Sequence, residues 1–176
     1  MKIEDIGDFD HDPQFDWYYG PVESGEPPIP QFRFVLEEYL EDKNQSEFRT
    51  AMLNFRSNGS KAIKAAEEHI FEYYKDITNL IDTEDEEDFP LIKSSRDVWS
   101  YLRIGDEVLV SRRPYGDKKI YLSIECGCDW EEEHGLQIVL KEGMTVNKLG
   151  PYDGHLTNSD AYDVEEYENI VYKKIT

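Results

Sequence analysis

The chain has 176 residues, of which 39% are hydrophobic and 13% aromatic, and a chain of this length can bury roughly 70% of its unfolded surface as one domain. Its 39 acidic residues against 19 basic ones leave a formal net charge of −20. Such a surface repels the phosphates of nucleic acids and anionic lipids, so binding to either is disfavoured. The charge instead favours a basic protein as partner, because opposite charges steer the encounter.

The sequence predicts a cytoplasmic protein that has no membrane segment and no cofactor. No stretch approaches ~18 consecutive apolar residues, and residues 1–8 are acidic where a secretory signal would be basic and then apolar. The two cysteines, Cys126 and Cys128, are separated by one residue. In a strand they would lie ~6.6 Å apart, near the limit for a disulfide, so reduced thiols are expected. The oligomeric state stays open.

Residues 1–40 are predicted to form an N-terminal region of loops and strands. Frequent proline and glycine before residue 31 indicate loops, with one short strand at Phe15–Tyr19. Phe32, Phe34 and Leu36 alternate along the next segment. This period of two predicts a strand within residues 31–40.

Residues 44–103 are predicted to be helical. Asn44 or Ser46 can cap a first helix that ends at Asn58-Gly59, and Ser60 can cap a second. The apolar residues of the second helix recur at steps of three and four: Ile63, Ala66, Ile70, Tyr73, Ile77 and Leu80. This periodicity is typical of a helix that packs along one face.

Two features follow the helices. The acidic run Asp82–Asp88 predicts a solvated linker, because like charges keep a chain extended. Ser94, with Asp97 three residues later, predicts a capping box at the start of a short third helix.

Residues 105–176 have the period of β-strands. Val108 and Val110 share a face, and Ile120, Leu122 and Ile124 share another, with Tyr121 and Ser123 pointing away. Leu136–Leu149 predicts a hairpin with a Glu142-Gly143 turn, and Ile170–Tyr172 either adds an edge strand or docks on the sheet. We therefore expect an α+β fold in a single domain, residues 1–176. In this fold an antiparallel C-terminal β-sheet packs with a helical middle segment of two to three helices.

The predicted hairpin brings two polar clusters together. Residues 125–135 precede it and residues 152–158 follow it, so both should meet at one end of the sheet. From these clusters we predict a binding surface formed by Trp130, Glu131, Glu133, His134, Tyr152, Asp153 and His155. The alternative is an architectural role, in which Trp130 anchors the core, Gly135 supplies an unusual backbone angle and Asp153 stabilises a turn.

Catalytic and metal-binding interpretations of the same clusters stay open. Cys126 and Cys128 share one side of their strand, and His134 and His155 could complete a tetrahedral metal site, although structural zinc cysteines are usually spaced further apart. A nucleophilic thiol is disfavoured, because the acidic neighbours raise a cysteine pKa. Paired carboxylates with a histidine would suit acid–base chemistry instead.

These motifs resemble those of an uncharacterised bacterial family of unknown function. The resemblance rests on Asp129–Leu136, the Lys141–Gly143 turn and Tyr152–His155, and it covers residues 88 to 160 approximately. In that family a Trp, acidic residues and His-Gly-Leu enter a strand, and a Tyr-Asp-Gly-His turn follows the hairpin. The resemblance implies a small cytosolic bacterial protein; similar acidic proteins are suspected of acting as immunity proteins.

The sequence thus leads to the hypothesis of a non-enzymatic, acidic binding protein of the immunity type, which neutralises a basic partner or toxin. Exposed aromatic residues such as Trp17, Tyr18 and Tyr19 would anchor that partner. The alternatives are a metal-dependent or hydrolytic enzyme that uses the Cys/His/Asp cluster at 126–155, and a structural subunit of a larger assembly.

Overall fold

The computed structural model describes residues 1–81 and 89–175, so the predicted linker Asp82–Asp88 lies outside the described residues. Six short strands precede the helices: β1 (Lys2–Ile3), β2 (Gly7–Asp8), β3 (Asp10–Asp12), β4 (Trp17–Tyr19), β5 (Glu23–Ser24) and β6 (Gln31–Leu36). β4 and β6 lie within the two predicted strands. The predicted alternation in β6 is confirmed, since Phe34 and Leu36 are completely buried and Phe32 nearly so.

The helical middle contains α1 (Gln45–Ala65), α2 (Glu67–Leu80) and a 3-10 helix, Ser95–Tyr101. The predicted end at Asn58-Gly59 is wrong, because α1 continues through both residues. Gly59 is needed here for packing, since a Cβ at this position would lie 2.6 Å from the Phe55 ring. The chain breaks instead at Ala66, and the Ser60 hydroxyl donates to the Glu26 carbonyl at 2.8 Å instead of capping a helix.

The capping box predicted at Ser94 is confirmed. The Asp97 carboxylate accepts a hydrogen bond from the Ser94 backbone N–H at 3.2 Å. In return, the Ser94 side chain accepts one from the Asp97 backbone N–H. Two backbone N–H groups at the start of the 3-10 helix, those of Ser94 and Asp97, are thus hydrogen-bonded. No helix among residues 1–81 and 89–175 is long and apolar enough to cross a bilayer.

The main sheet is mixed. Its C-terminal strands are β7 (Leu102–Arg112), β8 (Ile120–Cys128), β9 (Glu131–Lys141) and β10 (Thr145–Gly150), and the strand order is β10-β9-β8-β7-β6-β4-β3, with β5 paired to β6. β7 to β10 pair antiparallel, but β6 and β7 pair parallel. The prediction of an antiparallel sheet is therefore wrong for this pair. The two helices between β6 and β7 form a crossover, which returns the chain in the same direction.

The β9–β10 hairpin is confirmed. Glu142 and Gly143 both have positive φ angles, 52° and 71°, and the Met144 N–H donates to the Lys141 carbonyl at 3.0 Å, which closes the turn. Two successive positive φ angles define the type I′ turn that matches the twist of a two-stranded ribbon.

The helices cover one face of the sheet, which we call the inner face. Its core joins alternate strand residues to apolar helix residues: Val108, Val110, Leu122, Ile124, Ile138 and Leu140 with Phe48, Met52, Phe55, Ile63 and Ile70. The period of two in β7 to β9 and the helical period in α1 and α2 therefore converge on one core, as their patterns predict.

The opposite, outer face is covered by a C-terminal arm, which we define as residues 151–168. The arm contains α3 (Asn158–Tyr162) and a short 3-10 turn, Glu165–Tyr167. Arg113 fastens it to the sheet, because its guanidinium is 3% exposed and donates to Asp160 at 2.7 Å and to Glu168 at 2.5 Å. Beyond the arm the chain docks on β10 as predicted, through a parallel bridge between Leu149 and Tyr172.

Candidate functional site

The two predicted polar clusters meet through their backbones but face opposite sides of the sheet. The Tyr152 N–H donates to the His134 carbonyl at 3.4 Å, so the hairpin brings its two ends together. The Glu131 carboxylate, however, lies 3.5 Å from the Tyr73 hydroxyl of α2 on the inner face. Asp153 binds Lys148 at 2.8 Å on the outer face. The sheet therefore separates the two sets of side chains.

On the inner side, Glu131 and His134 are tied to each other. The His134 backbone N–H donates to Glu131 at 2.8 Å, and the imidazole Nδ1 lies 3.4 Å from the same carboxylate. Possible ligand atoms of Glu131, Glu133 and His134 all lie within 4.8 Å of one another. Within residues 1–81 and 89–175 this is the group that could hold a metal ion, and it includes neither cysteine nor His155.

Cys126, Cys128 and Trp130 belong to the core. Trp130 is 3% exposed and packs edge-on against Tyr73 and Tyr74, with ring centroids 6.2 and 5.9 Å apart. It therefore acts as the core anchor that the architectural alternative describes and offers no surface to a partner. Burial raises the pKa of both thiols to about 12. Buried neutral thiols are poor nucleophiles, and neither cysteine belongs to the group of possible metal ligands among the described residues.

We expect both thiols of the native protein to be nearly inert. At pH 8 a thiol with a pKa of about 12 is ionised in about one molecule in ten thousand, and burial also blocks the reagent. Reaction with a chromogenic disulfide should be at least about a hundredfold slower than in the urea-unfolded chain. Rapid modification of either cysteine in the folded protein would contradict its placement.

On the outer face, a cavity of about 610 Å³ opens between the sheet and the arm. Its floor comes from three strands, with Leu109 and Ser111 on β7, Ser123 on β8 and Gln137 on β9. The volume is within the range of small-ligand sites, ~300–1,000 Å³. Buried polar side chains on a sheet face are the informative feature, because burying them costs free energy unless they bind something.

A chain of hydrogen bonds runs under this floor. Gln137 donates to the Ser123 hydroxyl at 2.9 Å and accepts from the Lys148 ammonium at 2.8 Å, and Lys148 also binds Asp153 at 2.8 Å. Burial lowers the pKa of Lys148, while its bond to Asp153 opposes that shift. Asp153 in turn accepts the His155 backbone N–H at 2.8 Å, which fixes the turn beside the cavity.

The cavity lining carries more negative than positive charge. Its carboxylates are Glu37, Glu38, Asp160 and Asp163. Its one guanidinium, Arg112, is already bound to Asp42 at 2.5 Å and to Glu47 at 2.7 Å. Burial, and then the charge of Glu38, raises the pKa of Glu37. Glu37 is thus a half-buried carboxylate without a cation beside it in the described part of the chain.

The sequence comparison identifies a family. Residues 5–156 match the model of a family described as Domain of unknown function (DUF6985). The chain belongs to this family. The resemblance to a family of unknown function is thereby confirmed, and the DUF6985 match takes in the whole floor of the cavity and Glu37, whereas α3 lies beyond it. No curated protein and no solved structure is significantly similar to the chain.

In this DUF6985 protein only part of the predicted surface reaches the cavity. Tyr152 and His155 line it, and Asp153 supports it from behind. Glu131 lies toward Tyr73 on the other side of the sheet, and Glu133 and His134 also lie outside the lining. The aromatic segment Trp17–Tyr19 forms β4, where Arg33 covers the Tyr19 ring at 4.8 Å, and it also lies outside the lining.

Sequence analysis missed the other lining residues. Ser111, Ser123 and Gln137 occupy the polar positions of strands whose alternate residues form the core, and side chains at such positions commonly face water. Glu37 directly follows β6, at the parallel junction that the sequence did not predict. The one available sign was the choice of small or amide side chains at 111, 123 and 137 in a chain where charged residues are common.

Proposed function

We propose that this protein is a non-enzymatic binding protein of the immunity type, which acts in the cytoplasm and neutralises a basic protein by occupying part of its surface. The cavity on the outer face is the contact point. One observation carries the proposal: the cavity is open, and three of its lining carboxylates, Glu37, Glu38 and Asp163, lack countercharges among the described residues. A basic partner would supply those charges on binding.

The net charge of the chain and the local charge of the cavity both favour a basic protein as partner. The formal charge of −20 accelerates the approach of a basic protein from any direction. The uncompensated carboxylates Glu37, Glu38 and Asp163 then favour one orientation at the cavity. Exposed aromatic rings at its edge, Tyr115 at 72% and Tyr152 at 40%, provide apolar contact area for an interface.

The test is binding to the basic product of a neighbouring gene. The association rate should fall at least about tenfold between ionic strengths of about 0.05 M and about 0.5 M, because salt screens exposed charges. Surface-immobilised protein and stopped-flow mixing both measure this rate. Absence of a complex at low salt would contradict the proposal.

Two double variants that lose the same number of charges distinguish long-range electrostatic steering of the partner from a specific contact at the cavity. Glu38→Gln with Asp163→Asn removes two charges at the cavity, and Asp8→Asn with Asp10→Asn removes two exposed charges on the N-terminal strands. The first variant should lose at least about tenfold more affinity than the second, since only its charges meet the partner in the complex. Equal losses would place the contact elsewhere.

A further inference from the structure

We propose that the outer-face cavity is a receptor for an arginine side chain of the basic partner, with Glu37 as the carboxylate that pairs with the guanidinium and Ser111 and Ser123 as additional acceptors. This inference rests on the proposed function and makes it more specific. It is carried by the juxtaposition of a half-buried carboxylate with two buried hydroxyls in one open cavity.

The first support is the unused hydrogen-bonding capacity of the floor. Ser111 is 9% exposed, lines the cavity, and its hydroxyl makes no hydrogen bond to any described residue. Ser123 is 7% exposed and accepts one bond from Gln137, which leaves a lone pair for a second donor. The Ser111 oxygen is not one of the described buried atoms that lack a partner, so it is open to the cavity, and both hydroxyls have capacity to accept an N–H from a ligand.

The second support is the charge state of Glu37. Its carboxylate forms no ion pair or hydrogen bond with the described residues, and burial together with Glu38 makes its ionised form costly. The nearby cations are already paired: Arg112 with Asp42 and Glu47, and Arg113 with Asp160 and Glu168. A cation from outside the chain would therefore relieve an existing electrostatic penalty.

The third support is geometry that favours a guanidinium over an ammonium. The acceptors belong to different elements, the end of β6 and the outer sides of β7 and β8, so they approach a ligand from several directions. A guanidinium carries five N–H donors in a plane and is weakly hydrated, whereas an ammonium is compact and strongly hydrated. Tyr152 and Tyr115 line the cavity and offer faces on which a planar cation can stack.

The test uses three blocked amino acids of similar size: N-acetyl-arginine amide, N-acetyl-lysine amide and N-acetyl-citrulline amide. Citrulline has nearly the same shape as arginine but no charge. Each is titrated into the 15N-labelled full chain, and amide shifts are followed. Arginine should bind with a dissociation constant on the order of 1 mM, as expected for one side chain. It should shift residues around Ser111, Ser123 and Tyr152, and bind at least about tenfold tighter than citrulline and severalfold tighter than lysine.

Single substitutions test which residues of the cavity contact the arginine side chain. Glu37→Gln keeps the shape of the side chain and should weaken arginine binding at least about tenfold, and Ser111→Ala should weaken it severalfold. Glu132→Gln makes the same charge change at an exposed position outside the lining and should leave binding unchanged. Equal loss in Glu37→Gln and Glu132→Gln, equal binding of arginine and citrulline, or no saturable shift at the cavity would overturn the inference.

The outcomes also separate this inference from the proposed function. If the basic partner binds but the arginine probe does not, the cavity is not an arginine receptor while the binding role stands. If the probe binds and Glu37→Gln abolishes it while no basic protein forms a complex, the cavity recognises guanidinium and the immunity-type role fails.

Discussion

Replacing Gly143 by alanine is expected to lower the free energy of unfolding by about 2–5 kcal/mol, the sum of left-handed backbone strain and overpacking. Gly143 has a φ of +71°, and a Cβ there would lie 2.2 Å from the Ala51 carbonyl oxygen and 2.8 Å from the Phe55 backbone nitrogen. Both obstacles are backbone atoms of α1, which cannot rotate aside as a side chain can. The substitution must therefore push the helix away from the hairpin.

Gly154 provides a matched control for this prediction. Its φ is +77°, yet a Cβ there would meet nothing within 4 Å. Gly154→Ala thus carries the backbone strain alone, about 1–2 kcal/mol. Urea unfolding of both variants measures the difference. Equal destabilisation would show that α1 does not approach the turn as closely as described.

Arg113→Ala is expected to cost about 3 kcal/mol, the lower end of the range for breaking a buried ion pair, because its carboxylate partners are partly exposed. The arginine itself is 3% exposed, and those partners hold the arm through Asp160 on α3 and Glu168 after it. Without the guanidinium these carboxylates face each other without a cation. Amide protons of the arm should then exchange with solvent well before those of β7 to β9.

Arg103→Ala is the corresponding control. Arg103 pairs with Asp129, but these side chains are 61% and 39% exposed. Exposed pairs contribute less than about 1 kcal/mol, so this variant should unfold almost like the parent. A similar loss in the two variants, or an arm that keeps its protection without Arg113, would contradict the anchoring role of Arg113.

Local patterns in the sequence were sufficient where neighbouring residues determine structure. The alternation in β8 and β9, the Glu142-Gly143 turn and the capping box at Ser94 all depend on residues a few positions apart. Each has one low-energy solution that propensity and periodicity identify. These elements were therefore predicted correctly.

Features that depend on contacts between residues far apart in the sequence were not predicted correctly. Asn58-Gly59 has the composition of a helix end, but burial of Gly59 and Ile63 against the core keeps α1 continuous there. The parallel pairing of β6 with β7 depends on where two helices deliver the chain. The alternation of core and polar residues was visible in β7 to β9. The cover over their polar side was not, because the arm is attached through Arg113 to carboxylates 47 and 55 residues later. Most of the cavity lining therefore came from tertiary structure alone.

The parallel pairing of β6 has a consequence for the order of folding. Arg33 pairs in register with Glu107, so β6 has no partner on that side until a strand more than 70 residues later has been synthesised. β4 and β5 pair with β6, and β3 pairs with β4, so they depend on the same event. Residues 10–36 should consequently gain protection late and together, after the helices and the β7–β8 ribbon have formed.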